Sequence, residues 1–191
     1  MVQTTSPLIT LDEFLASPDG HDRYELIEGK RVAKMSPQRF HSKTQRALLH
    51  FLEDWGDSRG EVGIEWSVIL TRRGQDWVPI PDLLFVSQDR LPEHLGDEPC
   101  PVPPDLAIEI ISPGQSFGGM AEKATDYLTA GVLRVWVVDP QVQSITVFTP
   151  DSMPRTYRGD RILTDPAFPD LSLTAQALFV QAGLADPPPS I

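Results

Sequence analysis

Two segments with strand character each carry an acid among apolar neighbours, and a lysine follows the second at a distance a helix can bridge. The segments are Ile80-Pro81-Asp82-Leu83-Leu84-Phe85-Val86 and Asp105-Leu106-Ala107-Ile108-Glu109-Ile110-Ile111-Ser112; the lysine is Lys123. Alternation along a strand puts Asp82 on the face of Leu84 and Val86, and Glu109 on the face of Ala107 and Ile111. An ionised carboxylate in such surroundings costs several kcal/mol unless a cation or hydrogen-bond donors compensate it. Two of them, if their strands are neighbours, ask for a metal ion or an ammonium group. Paired carboxylates with a lysine suit metal-assisted hydrolysis. Asp82 and Glu109 would hold Mg²⁺ or Mn²⁺ through hard oxygen ligands, while Lys123 orients a water or stabilises developing charge.

Taken singly, each residue has a plainer reading. An Asp after Pro commonly caps a turn, and a lysine on an amphipathic helix is commonly a surface residue. Glu109 is harder to set aside, because a glutamate inside an apolar strand is rare without a partner. His41 and Glu25 are second-rank candidates. His41 can bind a phosphate or donate a proton, or be a hydrogen-bonded histidine at the edge of the core. Glu25 can complete a metal shell or pair with a basic residue across its own hairpin, and the pairing is the favoured reading.

The elements that must position these groups follow from periodicity and turn chemistry. Thr10-Leu-Asp-Glu13 has capping-box spacing and starts a short helix over Leu11–Ala16. Arg23–Ile27 and Arg31–Met35 form a hairpin turned at Glu28-Gly29-Lys30. Leu48, Phe51, Leu52 and Trp55 recur at helical spacing, predicting a helix from Phe40 to Trp55 with His41 on its inward face. Val62 to Leu70 alternates as one strand, and a turn at Arg73-Gly74 leads through Trp77 to the strand of Asp82. Residues 87–104 read as a loop with one helical turn near Pro92–Leu95. The second acid strand ends at Ser112-Pro113-Gly114. A helix then runs to Ala130, with Phe117, Met120, Ala121, Ala124, Tyr127 and Leu128 on one buried stripe, Lys123 at its margin, and Glu122 and Asp126 pointing away. Arg134–Val138 is a strand, Ile145–Phe148 and Arg155–Arg158 a hairpin, and Leu173–Val180 a terminal strand or helix. The order helix, strand, strand, strand, helix, strand defines a mixed α/β layer structure. A single domain over residues 1–185 and a disordered tail over 186–191 are expected.

The chain has 191 residues and a net charge of −11. Such acidity disfavours tight, non-specific binding to nucleic acid unless a basic patch is local. Arg39, Lys43 and Arg46, and separately Arg72 with Arg73, are candidate patches whose favoured reading is solvated surface charge. One cysteine, Cys100, excludes an internal disulfide framework. With no secretory signal and no apolar run able to span a bilayer, a cytoplasmic protein with no membrane partner is expected. His21, His50 and His94 lack zinc-site spacing, and serine-hydrolase, nucleotide-loop and dinucleotide motifs are absent.

The order Pro81-Asp82, Glu109-Ile-Ile and a helical lysine resembles the PD-(D/E)XK nuclease superfamily. The likeness narrows with Tyr24-Glu-Leu-Ile-Glu-Gly29, Met35-Ser-Pro37, His41, Pro104-Asp-Leu-Ala-Ile-Glu-Ile-Ile-Ser-Pro113, Glu122-Lys123, Tyr127, Gly131-Val132 and Val135-Trp-Val-Val-Asp-Pro140. From Leu11 to Val180 these landmarks resemble the Uma-two family of restriction-endonuclease-like proteins. The resemblance implies a restriction-endonuclease-like core with an added N-terminal hairpin and C-terminal strands. It also implies a metal-dependent nuclease site, with the metal acids at Asp82 and Glu109. The superfamily lysine would fall on Ile111, which is apolar; Lys123 matches its relocated place on the following helix. Where members of the family carry an Asp shortly before that lysine, this chain has Gly118-Gly119. DNA is the expected substrate and a homodimer the expected assembly, with Trp66 and Trp77 at an interface or in the core. A non-catalytic interaction module of the same fold and a small phosphodiesterase acting on nucleotides or RNA are the rival readings.

Overall fold

The structure is a computed structural model describing residues 8–18, 20–92 and 96–187. His94 and most of the helical turn expected over Pro92–Leu95 lie outside these residues, as does the expected tail apart from Asp186 and Pro187. The chain opens with α1 (Leu11–Leu15), whose N-cap Thr10 and Glu13 form the expected capping box. One turn, α2 (Gly20–Arg23), leads into the hairpin β1 (Tyr24–Ile27) and β2 (Lys30–Ala33). Glu28 and Gly29 have φ of 52° and 72°, the left-handed pair that a two-residue hairpin turn requires. The long helix α3 (Arg39–Gly56) follows, then β3 (Gly60–Ile64), β4 (Leu70–Arg72), β5 (Gln75–Val78), β6 (Leu83–Ser87) and β7 (Leu106–Ile110). Helix α4 (Phe117–Thr129) crosses to β8 (Arg134–Asp139), and β9 (Ser144–Thr149), β10 (Ser152–Arg158), β11 (Ile162–Leu163), β12 (Leu173–Thr174) and α5 (Ala175–Gln181) complete the chain.

A six-stranded sheet in the order β10-β9-β8-β7-β6-β3 forms the middle layer. Its one parallel pair, β7 with β8, is the pair joined by α4, as a parallel connection demands a crossover. Alternation divides the apolar side chains between the two faces. Leu83, Phe85, Ile108 and Ile110 pack with Leu48 and Leu52 of α3 and with Leu178 and Phe179 of α5. Leu84, Val86, Ala107 and Val135 pack with Ala124 and Tyr127 of α4. Phe117 falls outside the buried stripe expected for that helix, 46% exposed. The expected α/β architecture is therefore present, with the C-terminal segment supplying both a short strand and a helix.

The largest departure lies in two stretches of chain. Both divide between the large sheet and a second, four-stranded sheet of order β2-β1-β5-β4. Val62–Leu70 breaks after Ile64, where Glu65 turns the backbone at φ 48°, and Trp66 packs back over Gly63, its ring 2.8 Å from where a Cβ would stand. The strand expected over Ile80–Val86, reached through Trp77, begins only at Leu83: β5 ends at Val78, Pro79-Ile80-Pro81-Asp82 separates the two, and Asp82 precedes β6 rather than lying within it. Trp77 is core, 1% exposed, with its ring 4.7 Å from that of Tyr127.

Candidate active site

The two prolines that end β5 create the site. Proline has no N–H and cannot continue a ladder, so Ile80 between them must satisfy its backbone elsewhere. Its N–H donates to Glu25 Oε1 at 3.0 Å, and its carbonyl accepts from Lys34 Nζ at 3.1 Å. The chain then re-enters the large sheet: Asp82 N–H donates to the Ile108 carbonyl at 3.0 Å, and the Asp82 carbonyl accepts from Glu65 N–H at 3.2 Å and from Gln45 Nε2 at 2.9 Å. Glu25 from β1, Asp82 from the break, Glu109 from β7, His41 from α3 and Lys123 from α4 consequently line one pocket, together with Lys34, Ser112 and Gln115. Its volume is about 180 Å³. All the carboxylates in it are buried.

The charges pair in two groups. Lys123 Nζ stands 2.9 Å from Glu25 Oε1 and 2.9 Å from Glu109 Oε1, and the Tyr127 hydroxyl donates to the same Glu109 oxygen at 2.8 Å. Lys34 Nζ stands 3.0 Å from Asp82 Oδ1, His41 Nε2 is 3.0 Å from Asp82 Oδ2, and the Ile110 N–H donates to that oxygen at 2.7 Å. Lys123 thus reaches Glu109 as expected, but its second partner is Glu25; the ammonium on Asp82 comes from Lys34. The favoured reading of Glu25 is corrected, because its partner is not a basic residue across the hairpin but a lysine 98 positions later in the chain. Asp126 is likewise not a solvent-facing acid: it holds Arg72 Nε at 2.7 Å, which takes Arg72 out of the candidate basic patch.

These contacts set the acidities. At Glu109 burial raises the carboxyl, Lys123 lowers it, and the nearby Asp82 and Glu25 raise it again, so that it settles above the usual glutamate range. Burial also pushes Asp82 up, but the His41 hydrogen bond and Lys34 outweigh it and hold this carboxyl below its ordinary value. Burial works against the Lys123 ammonium, and Glu109 and Glu25 more than restore it, leaving the amine above the usual lysine range. Burial, then Glu109 beside it, keeps the Tyr127 phenol protonated well above its normal range.

Sequence periodicity assigns Lys34 to a strand and Tyr127 to a buried stripe, without a role for either at the site. A signal for Tyr127 exists in the i,i+4 spacing from Lys123, which puts both on the helix face over the sheet. For Lys34 there is none, since its partner Asp82 lies across the division between the two sheets. Cys100 is buried, and burial raises its thiol further; it bridges Val68 in a structural ladder.

Among the described residues no group of three or more His, Cys, Asp or Glu side chains is gathered to hold a metal ion. The donor chemistry nonetheless fits a hard divalent cation. Three carboxylates, Glu25, Asp82 and Glu109, line the pocket against two lysines, Lys34 and Lys123. Carboxylate oxygens are the ligands Mg²⁺ and Mn²⁺ favour.

The mixed sheet with a parallel pair at its centre, joined by the crossover helix α4, is a fold of the restriction-endonuclease-like α/β class. Within that class the chain belongs to the family described as "Uma2: Putative restriction endonuclease", whose model matches residues 11–176. It is similar to a crystal structure of "a putative nuclease belonging to DUF820" from Anabaena variabilis. The two share 27% identity and a TM-score of 0.79, over 91% of this chain and 99% of that one. No curated protein matches it. No helix among the described residues is long and apolar enough to cross a membrane.

Proposed function

We propose that this chain is a Mg²⁺- or Mn²⁺-dependent endonuclease that hydrolyses phosphodiester bonds in DNA. The observation that carries the reading is the meeting of Asp82, Glu109 and Glu25 in one pocket with the Lys123 ammonium 2.9 Å from two of them. Membership of a family described as restriction endonucleases and likeness to a protein described as a nuclease support it. Asp82 and Glu109 are the proposed metal ligands, with Glu25 available as a third. A divalent cation held there supplies polarisation of a phosphoryl oxygen and a lower pKa for water. Lys123 orients the attacking water and offsets negative charge as it builds on the phosphorus-bound oxygens. Tyr127 fixes the rotamer of Glu109, and His41 acts through Asp82 by holding one of its oxygens. A homodimer would bring two such sites to the two strands of a duplex.

Incubating the purified protein with supercoiled and linear DNA in Mn²⁺ tests this. Wild type should cut, and Asp82→Ala and Glu109→Ala should lose cleavage while keeping a folded circular-dichroism spectrum. A wild-type protein that leaves every DNA form intact would defeat the reading.

One feature favours a second reading, a non-catalytic interaction module of the same fold: Lys34 and Lys123 already neutralise much of the carboxylate charge without any ion. Calorimetry separates the two, because a module of that kind need bind no Mn²⁺.

A further inference from the structure

Six of the chain's 16 Lys and Arg, and none of its 27 Asp and Glu, fall in the 17 residues from Lys30 to Arg46. This segment is β2, the link after it and the first two turns of α3, the elements that bring Lys34 and His41 to the pocket. Strand β2 is the outer strand of its sheet, and all four of its residues are exposed. Alternation puts Lys30 on the face of Val32 and Lys34, both of which line the pocket. On α3, Arg39 and Arg46 lie seven residues apart, on one stripe about 10 Å long at 1.5 Å per residue. Lys30, Arg39 and Arg46 are exposed and pair with no described acid. Arg39 lies over the ring of its neighbour Phe40, 5.7 Å from the centroid, Lys43 donates to the Gly183 carbonyl at 3.3 Å, and the Arg31 guanidinium lies 6.0 Å from the Phe14 ring centroid. The opposite sign gathers beyond Lys34, where Asp22, Glu61, Glu65, Asp97 and Glu98 line a hollow beside β3, the outer strand of the large sheet, with Glu65 3.8 Å from the Lys34 amine.

We propose that β2 and the first two turns of α3 form the face that docks a nucleic-acid phosphate backbone, through Lys30, Arg39 and Arg46, with Lys34 where that face meets the pocket. The inference rests on the nuclease reading for its choice of partner and deepens it by locating the docking surface. A segment of charge +6 in a chain of net charge −11 concentrates attraction beside the acids that are to act, while the β3 side repels phosphate. The backbone is thereby confined to one approach, and the chain's overall acidity suppresses binding elsewhere.

Fluorescence anisotropy in EDTA tests the docking face without requiring cleavage. Labelled short DNA single strands, DNA duplexes and RNA of one sequence are titrated at several salt concentrations. The proteins are wild type, the triple variant Lys30→Glu/Arg39→Glu/Arg46→Glu, its glutamine counterpart, and Arg158→Glu on β10 as a control. Affinity should fall with salt for wild type and drop on the order of tenfold or more in the triple variant. The slope of log affinity against log salt should flatten by about 0.7–0.9 for each phosphate that is no longer neutralised. The glutamine version should lie between, and Arg158→Glu should match wild type. All substituted positions are exposed, and melting curves confirm folding. Wild type that binds none of the probes, a triple variant that binds as wild type does, or a control that weakens equally would each overturn the proposal. Binding that depends on these cations in a protein that never cleaves with Mn²⁺ would uphold the docking face and remove the catalytic reading instead.

Discussion

Lys123 compensates two buried carboxylates at once, so its loss should be felt in stability before it is felt in chemistry. Removing one member of a buried ion pair typically costs about 3–5 kcal/mol, because the partner is left uncompensated. Lys123→Met should lower the metal-free melting temperature accordingly, and added Mn²⁺ should recover part of the loss in the variant. Differential scanning calorimetry with and without Mn²⁺ reads both effects. Glu109 gives a pH signature of definite sign. Its carboxyl is raised in the folded protein by burial and by the acids around it, so the folded state holds its proton to higher pH than the unfolded chain does. Stability from this group is complete below the unfolded value and is lost as pH rises through the folded one. Glu109→Gln also takes away one of the two partners of Lys123, so the linkage fixes the trend: in metal-free buffer the melting temperature of the variant relative to wild type should rise from acid to neutral pH. A relative melting temperature that rose toward acid would show the sign to be wrong.

The elements matter here chiefly at their ends. The site is assembled where β5 stops and β6 starts, and the Ile80 backbone between two prolines is satisfied by Glu25 and Lys34. At the companion break after β3, Trp66 packs over Gly63, whose Cβ would stand 2.8 Å from Trp66 and 3.2 Å from Leu84. Gly63→Ala should cost about 2 kcal/mol through overpacking and disturb the Glu65–Asp82 backbone bond, lowering both the melting temperature and Mn²⁺ affinity measured by calorimetry. Long-period signals are legible in the sequence: the α3 stripe that buries His41, the capping box at Thr10, the α4 stripe with Lys123 at its edge, and the apolar run of β7 around Glu109. The division of two alternating segments between two sheets is not. A period of two is the same whichever sheet receives the strand, and only packing around Gly63 and Pro79–Pro81 decides. Lys34 and the true partner of Glu25 are hidden for the same reason, since both contacts cross that division.

Across the molecule, an acidic protein carries one acid-free basic segment, and that segment borders the pocket holding its buried carboxylates. The two ammonium groups in the pocket offset much of the charge on its three carboxylates without any ion. A cation bound there as proposed would have to redistribute Lys34 and Lys123, which now hold those acids. Anomalous diffraction from a crystal soaked in Mn²⁺ reads the proposed metal site without intermediaries. A peak shared by the Asp82 and Glu109 carboxylates, with the Lys123 amine still in the pocket, is the expected result. No peak there at saturating Mn²⁺, with both acids still bound to Lys34 and Lys123, would refute the metal site.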